Sequence, residues 1–270
     1  MDTLEGGAQV SGDEGQAYSN EASILTREIK DKALSSGVDL IGIVKAESID
    51  AVPSHFRQWD DFYQNPAYTK KTGDYLEGCE SVVMLGFQVW DDVHEMYVFK
   101  GDEFETLGYM RMRQPTGRVQ RFIEGLGYKA RRIGTDTLLS QKRMAQLAGF
   151  GNFGKMSLII NPRFGPWFRL STILTDAVLV PDEPFEDDLC GDCDECIKAC
   201  PAGALTPYKV DPGKCFQGVY DATGLLQGFG PPELQARFDE YNLRPTRSSI
   251  LPCMACQKAC RYGREERGLS

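Results

Sequence analysis

The sequence predicts an α+β protein in which a layered α/β domain precedes a small cysteine-rich module. Over residues 22–180, apolar segments with the spacing of strands alternate with segments of helical periodicity. The composition then turns acidic and proline-containing at Pro181–Leu189, and eight of the nine cysteines follow between Cys190 and Cys260. The predicted organisation is a disordered tail over residues 1–21, the α/β domain over 22–180, the module over 181–262 and a second tail over 263–270.

The elements of the α/β domain follow from the hydrophobic pattern. The segment from Ala22 predicts an amphipathic helix that stops at Gly37, followed by a buried strand over Asp39–Val44. A second strand, with continuous apolar character, is predicted over Ser81–Val89. The later elements are, in chain order, a helix through Val119–Leu126, a strand near Tyr128–Ile133, a helix over Leu138–Ala148, and short strands at Leu158–Ile160 and Leu170–Leu174.

Length, composition and charge argue against several classes of protein. A chain of 270 residues that is 41% hydrophobic can bury a core without disulfide bonds. Its N-terminus has no basic or apolar region of a secretory signal, and no run approaches the roughly 20 apolar residues of a membrane span. We therefore expect a cytoplasmic protein with no membrane span. The net charge of −9 argues against tRNA or DNA as a partner.

The cysteines form two motifs with the spacing of metal ligands. The first, Cys190-Gly-Asp-Cys193-Asp-Glu-Cys196-Ile-Lys-Ala-Cys200-Pro201, has the pattern C-x2-C-x2-C-x3-C-P. In this pattern three thiolates hold one iron–sulfur cluster, while the fourth faces away and holds another. The second motif is Cys253-Met-Ala-Cys256-Gln-Lys-Ala-Cys260, with Cys215 upstream. We predict two [4Fe–4S] clusters, one on Cys190, Cys193, Cys196 and Cys260, the other on Cys200, Cys215, Cys253 and Cys256.

Other interpretations of the cysteines stay open. Paired C-x2-C motifs also bind zinc, which would make the chain an interaction protein. The ninth cysteine, Cys79, precedes the strand at Ser81 and is expected to be a small buried hydrophobic residue. Arg261 follows Cys260 at a position where this motif usually has proline. Proline is not a ligand, so the substitution removes no metal contact.

Residues 182–200, named here the acidic collar, carry a strong negative charge. The collar contains eight acidic residues and a single basic residue, Lys198, so its net charge is −7. Residues 1–22 have a net charge of −5, and the rest of the chain has +3. The collar could lower the reduction potential of the neighbouring clusters and bind a basic electron donor. The alternative is a solvated surface loop.

A glycine-rich segment precedes the boundary between the two parts. Gly149, Gly151 and Gly154 allow close approach of the backbone to a ligand, or simply a tight turn. The segment is not a dinucleotide fingerprint in the required context, because no strand directly precedes it.

Two stretches, AGFGNFGKMSLIINPRFGPWFRLSTILTD and CGDCDECIKACPAGAL, resemble the shared core of epoxyqueuosine reductases and reductive dehalogenases. INPRFGPWFRL is closer to the dehalogenase form, and Gly154-Lys155 to the reductase form. Weaker similarity extends the resemblance over about residues 22–262. It implies a nitroreductase-like α/β domain followed by a bacterial ferredoxin-like module with two clusters. It also implies a cobalamin, to which the clusters pass electrons and whose Co(I) state carries out a reductive elimination.

The resemblance suggests several site residues. Gly149, Gly151, Gly154 and Lys155 are the expected cofactor contacts. Asp136 is similar in position to the aspartate proton donor of the reductases, although its spacing differs by one residue and a helix N-cap is the alternative. Tyr97 or Tyr109 would be the donor if the site is dehalogenase-like, with Lys155 beside it. The alternatives are packing roles for the tyrosines and a surface position for Lys155.

Departures from both families shape the expected function. The sequence shows neither the helical-repeat region usual in the reductases nor the twin-arginine signal usual in respiratory dehalogenases. We therefore expect an anaerobic cytosolic reductase for a small substrate, served by a low-potential donor of the ferredoxin or flavodoxin type. The alternative is a corrinoid-free electron-transfer or accessory protein. With only His55 and His94 present, no histidine ligand to cobalt is expected.

Overall fold

The computed structural model describes residues 18–51, 70–100, 103–134, 139–211, 213–216 and 232–268. Its helices and strands are, in chain order, α1 (Asn20–Ser35), β1 (Leu40–Lys45), α2 (Ala46–Asp50), β2 (Ser81–Gln88), β3 (Tyr97–Lys100), β4 (Glu103–Thr106), α3 (Leu107–Gly125), β5 (Ala130–Ile133), α4 (Gln141–Leu147), β6 (Asn152–Phe153), β7 (Ile159–Ile160), β8 (Phe168–Thr175), α5 (Glu195–Lys198), β9 (Leu205–Thr206), β10 (Lys209–Val210), α6 (Pro232–Tyr241), β11 (Leu243–Thr246), β12 (Ser249–Leu251) and α7 (Ala255–Ala259).

A four-stranded antiparallel sheet, in the order β1-β2-β8-β5, forms the centre of the α/β part. Helices cover both faces, which explains why β2 is apolar at nearly every position. Val83, Leu85 and Phe87 face a hydrophobic core shared with α1 and α3. Val82 and Met84 face a second core shared with α4. The mixed α/β architecture predicted from the sequence is confirmed.

The first helix begins earlier than predicted. The side chain of Ser19 accepts a hydrogen bond from the Ala22 amide at 3.1 Å, so the helix starts at Asn20 and not at Ala22. Residues 20 and 21, assigned to the tail, are therefore helical. The helix ends before Gly37, whose φ of +92° is the left-handed conformation that the predicted stop requires.

Two features of the sheet region were not predicted. The helix expected at Val119–Leu126 begins at Leu107 and contains the buried Pro115. Before it, β3 and β4 form a hairpin that belongs to a second sheet in the order β11-β12-β3-β4. This sheet joins segments that the sequence assigns to two domains.

No helix in the described ranges is long and apolar enough to cross a membrane.

The start of the acidic collar is fixed against the central sheet. The carboxylate of Asp182 accepts hydrogen bonds from the Ile43 amide at 2.7 Å and from the Lys30 ammonium at 2.5 Å. The Phe185 amide donates to the carbonyl oxygen of Gln146 in α4 at 3.0 Å. The collar thus leaves the α/β part along a defined path.

The segment after the last cysteine packs back onto the α/β part, where the sequence predicts a tail. The guanidinium of Arg267 lies 3.6 Å from the ring centre of Trp167. Gly165 and Gly263 bring their backbones together: a Cβ on Gly165 would lie 2.1 Å from the Tyr262 carbonyl oxygen, and one on Gly263 would lie 2.2 Å from that of Phe164. Only glycine fits at this crossing.

Candidate metal centre

Two short helices carry the centres of the two cysteine motifs. α5 contains Cys196 and α7 contains Cys256, and the two helices pack against each other. All nine cysteines are free thiols. The second halves of both motifs therefore meet in one place, although more than 50 residues separate them in the sequence.

The first cysteine set, consisting of Cys190, Cys193, Cys196 and Cys260, lies together. The pKa of Cys260 is raised to about 11, first by burial and then by electrostatic interaction with the other three thiols of the set. The pKa of Cys196 is raised by burial and by Cys190 and Cys193. The fourth thiol of this set thus comes from the far end of the module, and its role as a ligand of the first cluster stays a prediction.

The second cysteine set, consisting of Cys200, Cys215, Cys253 and Cys256, forms an adjacent group. Burial raises the pKa of Cys256 strongly, and Cys215, Cys253 and Cys200 raise it further. Burial also raises the pKa of Cys253, with a contribution from Cys200. A weaker interaction joins Cys256 to Cys196 of the first set, so the two sets are neighbours.

The donor chemistry of both sets fits an iron–sulfur cluster. All eight thiols are soft ligands, and at Cys196, Cys253, Cys256 and Cys260 burial raises the pKa, which makes a free thiolate unfavourable unless a cationic centre compensates its charge. Among the residues that the structure describes, no group of three or more His, Cys, Asp or Glu side chains is arranged to hold a metal ion.

Hydrogen bonds from polar side chains hold the backbone at or next to cysteines of each set. In the second set, the buried side chain of Asn242 accepts a hydrogen bond from the Cys253 amide at 2.8 Å and donates to the Phe238 carbonyl at 2.8 Å. In the first set, Arg261 donates to the Leu189 carbonyl at 3.2 Å. This contact brings the chain after Cys260 next to the chain before Cys190. The residue that replaces the usual proline therefore has a structural role.

The glycine-rich segment forms a compact turn, named here the glycine hairpin (residues 149–160), which contains β6 and β7. A Cβ on Gly151 would lie 2.0 Å from the Ile160 carbonyl oxygen, and one on Gly154 would lie 2.5 Å from the Ile160 side chain. Gly149, with φ of +77°, faces the Glu183 carbonyl. All three glycines predicted as cofactor contacts thus lie against protein atoms.

The glycine hairpin contacts the cysteine module through its tip. The Lys155 ammonium donates to the Gly191 carbonyl at 2.6 Å, between the first two cysteines of the first set. The Tyr208 amide donates to the Lys155 carbonyl at 3.1 Å, and the Ser157 hydroxyl donates to the Tyr208 carbonyl at 3.0 Å. Ser157 and Tyr208, with φ of 61° and 64°, are the two non-glycine residues with positive φ in the described ranges. Backbone strain therefore concentrates where the two parts of the chain meet.

The predicted catalytic residues lie in different surroundings. Tyr97 pairs with Ile250 across β3 and β12 and packs near Phe238. Tyr109 lies in the first turn of α3, with the Arg169 guanidinium 5.9 Å from its ring centre. Lys155 is directed at Gly191. The structure thus places these three candidates in separate groups, and Asp136 and His55 lie outside the described residues.

Comparison with known proteins gives the relationships of the chain. No family model matches it. An epoxyqueuosine reductase of Leadbetterella byssophila is 28% identical over an alignment of 252 residues that covers 87% of this chain and 78% of the relative. The structure of epoxyqueuosine reductase with an epoxyqueuosine-modified tRNA-Tyr stem loop gives a TM-score of 0.66 at 21% identity, covering 89% of this chain and 66% of that one. A reductive dehalogenase structure that suggests a mechanism for B12-dependent dehalogenation gives a TM-score of 0.60 at 18% identity, covering 97% of this chain and 35% of that one.

The predicted resemblance is confirmed. This chain is similar in sequence to epoxyqueuosine reductases and to a reductive dehalogenase. Because the relatives are oxidoreductases, the prediction that the chain is a reductase is confirmed as well. The solved structures also support the mixed α/β fold.

The expectation of a small-molecule substrate and no tRNA partner is wrong. The related epoxyqueuosine reductase was solved with a tRNA stem loop. The expectation came from the net charge of −9 and from the helical-repeat region that the sequence does not show, but residues 1–22 and the acidic collar together carry −12. The rest of the chain carries a net charge of +3, so the charge of the whole chain does not describe the surface that a substrate meets.

Sequence reasoning missed the contacts between the glycine hairpin and the module. Tyr208 follows the proline-containing turn after Cys200 and carries no motif of its own. Asn242 is equally inconspicuous in the sequence, although it holds Cys253. The burial of Asn242 is seen only in the structure, so the sequence carries no signal for this contact.

Proposed function

We propose that this protein is an iron–sulfur reductase of the epoxyqueuosine reductase type, in which two [4Fe–4S] clusters supply electrons for a reductive elimination on a nucleoside carried by a tRNA. The observation that carries the proposal is the grouping of eight thiols into two neighbouring sets of four. The relatives and their solved structure with a tRNA stem loop support the substrate class.

The stoichiometry of the reaction explains why two clusters would be useful. Conversion of an epoxide to an alkene consumes two electrons and two protons and releases one water molecule. Each [4Fe–4S] cluster transfers one electron at a time. An external one-electron reductant therefore has to act twice, and two adjacent clusters can hold both electrons near the substrate.

A cobalamin is part of the proposal because a related structure is described as supporting B12-dependent dehalogenation. When bound, a corrinoid supplies the cobalt chemistry of reductive elimination. Of the residues predicted to contact it, Gly149, Gly151 and Gly154 have protein atoms on the side where a Cβ would lie, and the Lys155 ammonium contacts the Gly191 carbonyl. We therefore assign no step to the corrinoid.

The residues of this chain have two roles in the proposed reaction. The eight cysteines hold the clusters, and the contacts of Asn242 and Arg261 fix their positions. Asp136 remains the proposed proton donor on the basis of its resemblance to the reductases. Tyr97 packs near Phe238 and Ile250 and Tyr109 near Arg169, so neither lies beside Lys155 as a dehalogenase-like site would need.

Anaerobic reconstitution tests the proposal. The protein is loaded with iron and sulfide, with and without cobalamin, and its iron, sulfide, cobalt and zinc are measured. We expect about eight irons and eight sulfides per chain, as two [4Fe–4S] clusters require. The loaded protein is then reduced and given epoxyqueuosine-containing tRNA, and the nucleosides are analysed by mass spectrometry. Queuosine should form with that tRNA, and no product with unmodified tRNA of the same sequence.

Three results bear on separate parts of the proposal. Zinc without inorganic sulfide would overturn the iron–sulfur part. Full activity without cobalt would overturn the cobalamin part. Intact clusters and bound cobalt without any queuosine would overturn the substrate. The Asp136→Asn variant should keep its metals and lose most of its turnover, whereas Tyr109→Phe should keep its metals and its turnover.

A further inference from the structure

We propose, on the basis of the iron–sulfur function proposed above, that Lys155 is a positioning residue that holds the ligand loop of the first cluster through Gly191 and raises the reduction potential of that cluster. The resemblance to dehalogenases suggests a place for Lys155 beside a substrate. The contacts in this structure instead direct its ammonium to the loop between Cys190 and Cys193.

The glycine hairpin aims Lys155 at this loop. The turn is closed by a hydrogen bond from the Gly154 amide to the Leu158 carbonyl and one from the Ser157 amide to the Gly154 carbonyl, both 2.8 Å long. Gly154 fits against the Ile160 side chain only because it has no Cβ. The backbone of Lys155 is also held, since its carbonyl accepts from the Tyr208 amide at 3.1 Å. The position of the ammonium is thus set from both sides.

The receiving carbonyl belongs to Gly191, an exposed residue whose amide also interacts with the Asp188 carboxylate. Gly191 has a φ of +48°, and nothing lies within 4 Å of the position of a Cβ on it. Its neighbours Cys190 and Cys193 are two of the four thiols of the first set. A 2.6 Å hydrogen bond from a charged donor therefore fixes the orientation of the peptide in the ligand loop.

Two cations from outside the acidic collar lie at this loop: Lys155 and Arg261, which donates to the Leu189 carbonyl and interacts electrostatically with Cys193 and Cys190. The acidic collar carries eight acidic residues and only one lysine of its own, Lys198. Lys198 pairs with Asp194 at 2.8 Å and with Glu195 at 3.2 Å on the exposed side of α5. Lys155 comes from outside the collar and interacts electrostatically with Asp188 and Asp194. It brings a positive charge to the side of the loop that faces the α/β part.

The expected effect on the cluster follows from charge. Reduction adds one negative charge to a [4Fe–4S] cluster, and a nearby cation stabilises the reduced form more than the oxidised form. Lys155 should therefore raise the potential of the first cluster and favour its reduction. Because the contact is partly exposed, solvent and salt should weaken the effect.

Potentiometric titration followed by electron paramagnetic resonance tests the inference, after iron and sulfide analysis of each variant. In Lys155→Met the first cluster should have a lower potential, with a reduced-to-oxidised ratio about fivefold smaller at a given potential, or about 40 mV for one electron. Lys155→Arg should keep the wild-type potential. The shift in Lys155→Met should shrink at high ionic strength, which a purely structural effect would not do.

Two further variants separate charge from position. Lys155→Gln keeps a donor for the Gly191 carbonyl but removes the charge, so it should lower the potential nearly as much as Lys155→Met. If Lys155→Met loses iron, the titration of Lys155→Gln decides whether the charge of Lys155 raises the potential of the first cluster. The matched control, Lys198→Met, removes the same charge from a lysine already paired with two carboxylates and should shift the potential less.

The results that overturn the inference are distinct from those that overturn the proposed function. Unchanged potentials in neutral variants with intact clusters would overturn the role of Lys155 alone. Equal shifts in the variants of Lys155 and Lys198 would show a general charge effect and would also overturn it. A wild-type protein without inorganic sulfide would overturn the proposed function and this inference together.

Discussion

The two cysteine sets are built in different ways, although they are neighbours. Three thiols of the first set lie in a single loop of seven residues, and the glycine hairpin holds this loop from the side. The second set takes its thiols from three separate segments, with 37 residues between Cys215 and Cys253. Its last segment follows β11 and β12, which join the hairpin of β3 and β4. The first set thus depends mainly on local structure and the second on tertiary structure.

The largest expected effect tests whether the two sets are independent. Cys256→Ser replaces the thiol that interacts with all three other members of the second set. Because an alcohol is a poor ligand for iron in such clusters, iron should fall from about eight to about four per chain. Metal analysis and electron paramagnetic resonance of the reduced protein would measure this. Cys79→Ser is the control and should keep all the iron. Loss of both clusters in Cys256→Ser would contradict independence.

A smaller effect is expected from the support of the first set. In Gly151→Ala the new Cβ would lie 2.0 Å from the Ile160 carbonyl oxygen, at a φ of +152°. The backbone of the glycine hairpin would have to move, at a cost of about 3 kcal/mol in the free energy of unfolding. Urea denaturation would measure it. At Gly37 the φ of +92° is also strained for alanine, but nothing lies within 4 Å of the position of a Cβ, so Gly37→Ala should lower the free energy of unfolding by about 1 kcal/mol. Equal costs for the two variants would show that the contact with Ile160 is unimportant.

The smallest of the three effects concerns the support of the second set. Asn242→Ala removes the acceptor for the Cys253 amide and the donor to the Phe238 carbonyl. Loss of these buried hydrogen bonds should cost about 2 kcal/mol and let a chelator remove iron from the second cluster first. The control Gln235→Ala removes an exposed bond to Asp239 and should have little effect. If the first cluster lost its iron sooner in Asn242→Ala, the contrast between the two sets would be wrong.

The features that the sequence predicts are those that depend on residues close together in the chain. The strand predicted over Ser81–Val89 from its continuous apolar run is observed at Ser81–Gln88. The two sets of four ligands predicted from the cysteine spacing stay a prediction. The resemblance to known reductases was likewise carried by two continuous stretches. These signals need no knowledge of what lies opposite them.

Features that depend on distant partners were not predicted. The pairing of β3 with β12 joins residues about 150 positions apart, and neither strand shows which partner it takes. Gly151 and Gly154 were expected to approach a cofactor, because the absence of a side chain shows only that something lies close. The structure places Ile160 there. The direction of Lys155 depended in the same way on the position of Gly191.

The crossing of Gly165 and Gly263 has a consequence for how this architecture can be divided. Each glycine is required by the backbone of a segment almost 100 residues away. A chimaera that transferred only the residues after Pro181 to another protein would leave Gly263 without its counterpart. The unit that can be exchanged between relatives therefore includes the loop before β8 as well as the cysteine module. Hybrid proteins joined at Pro181, where the composition changes, should misassemble. Hybrids joined before Asn161 keep Gly165 and Gly263 from the same protein and so preserve their crossing.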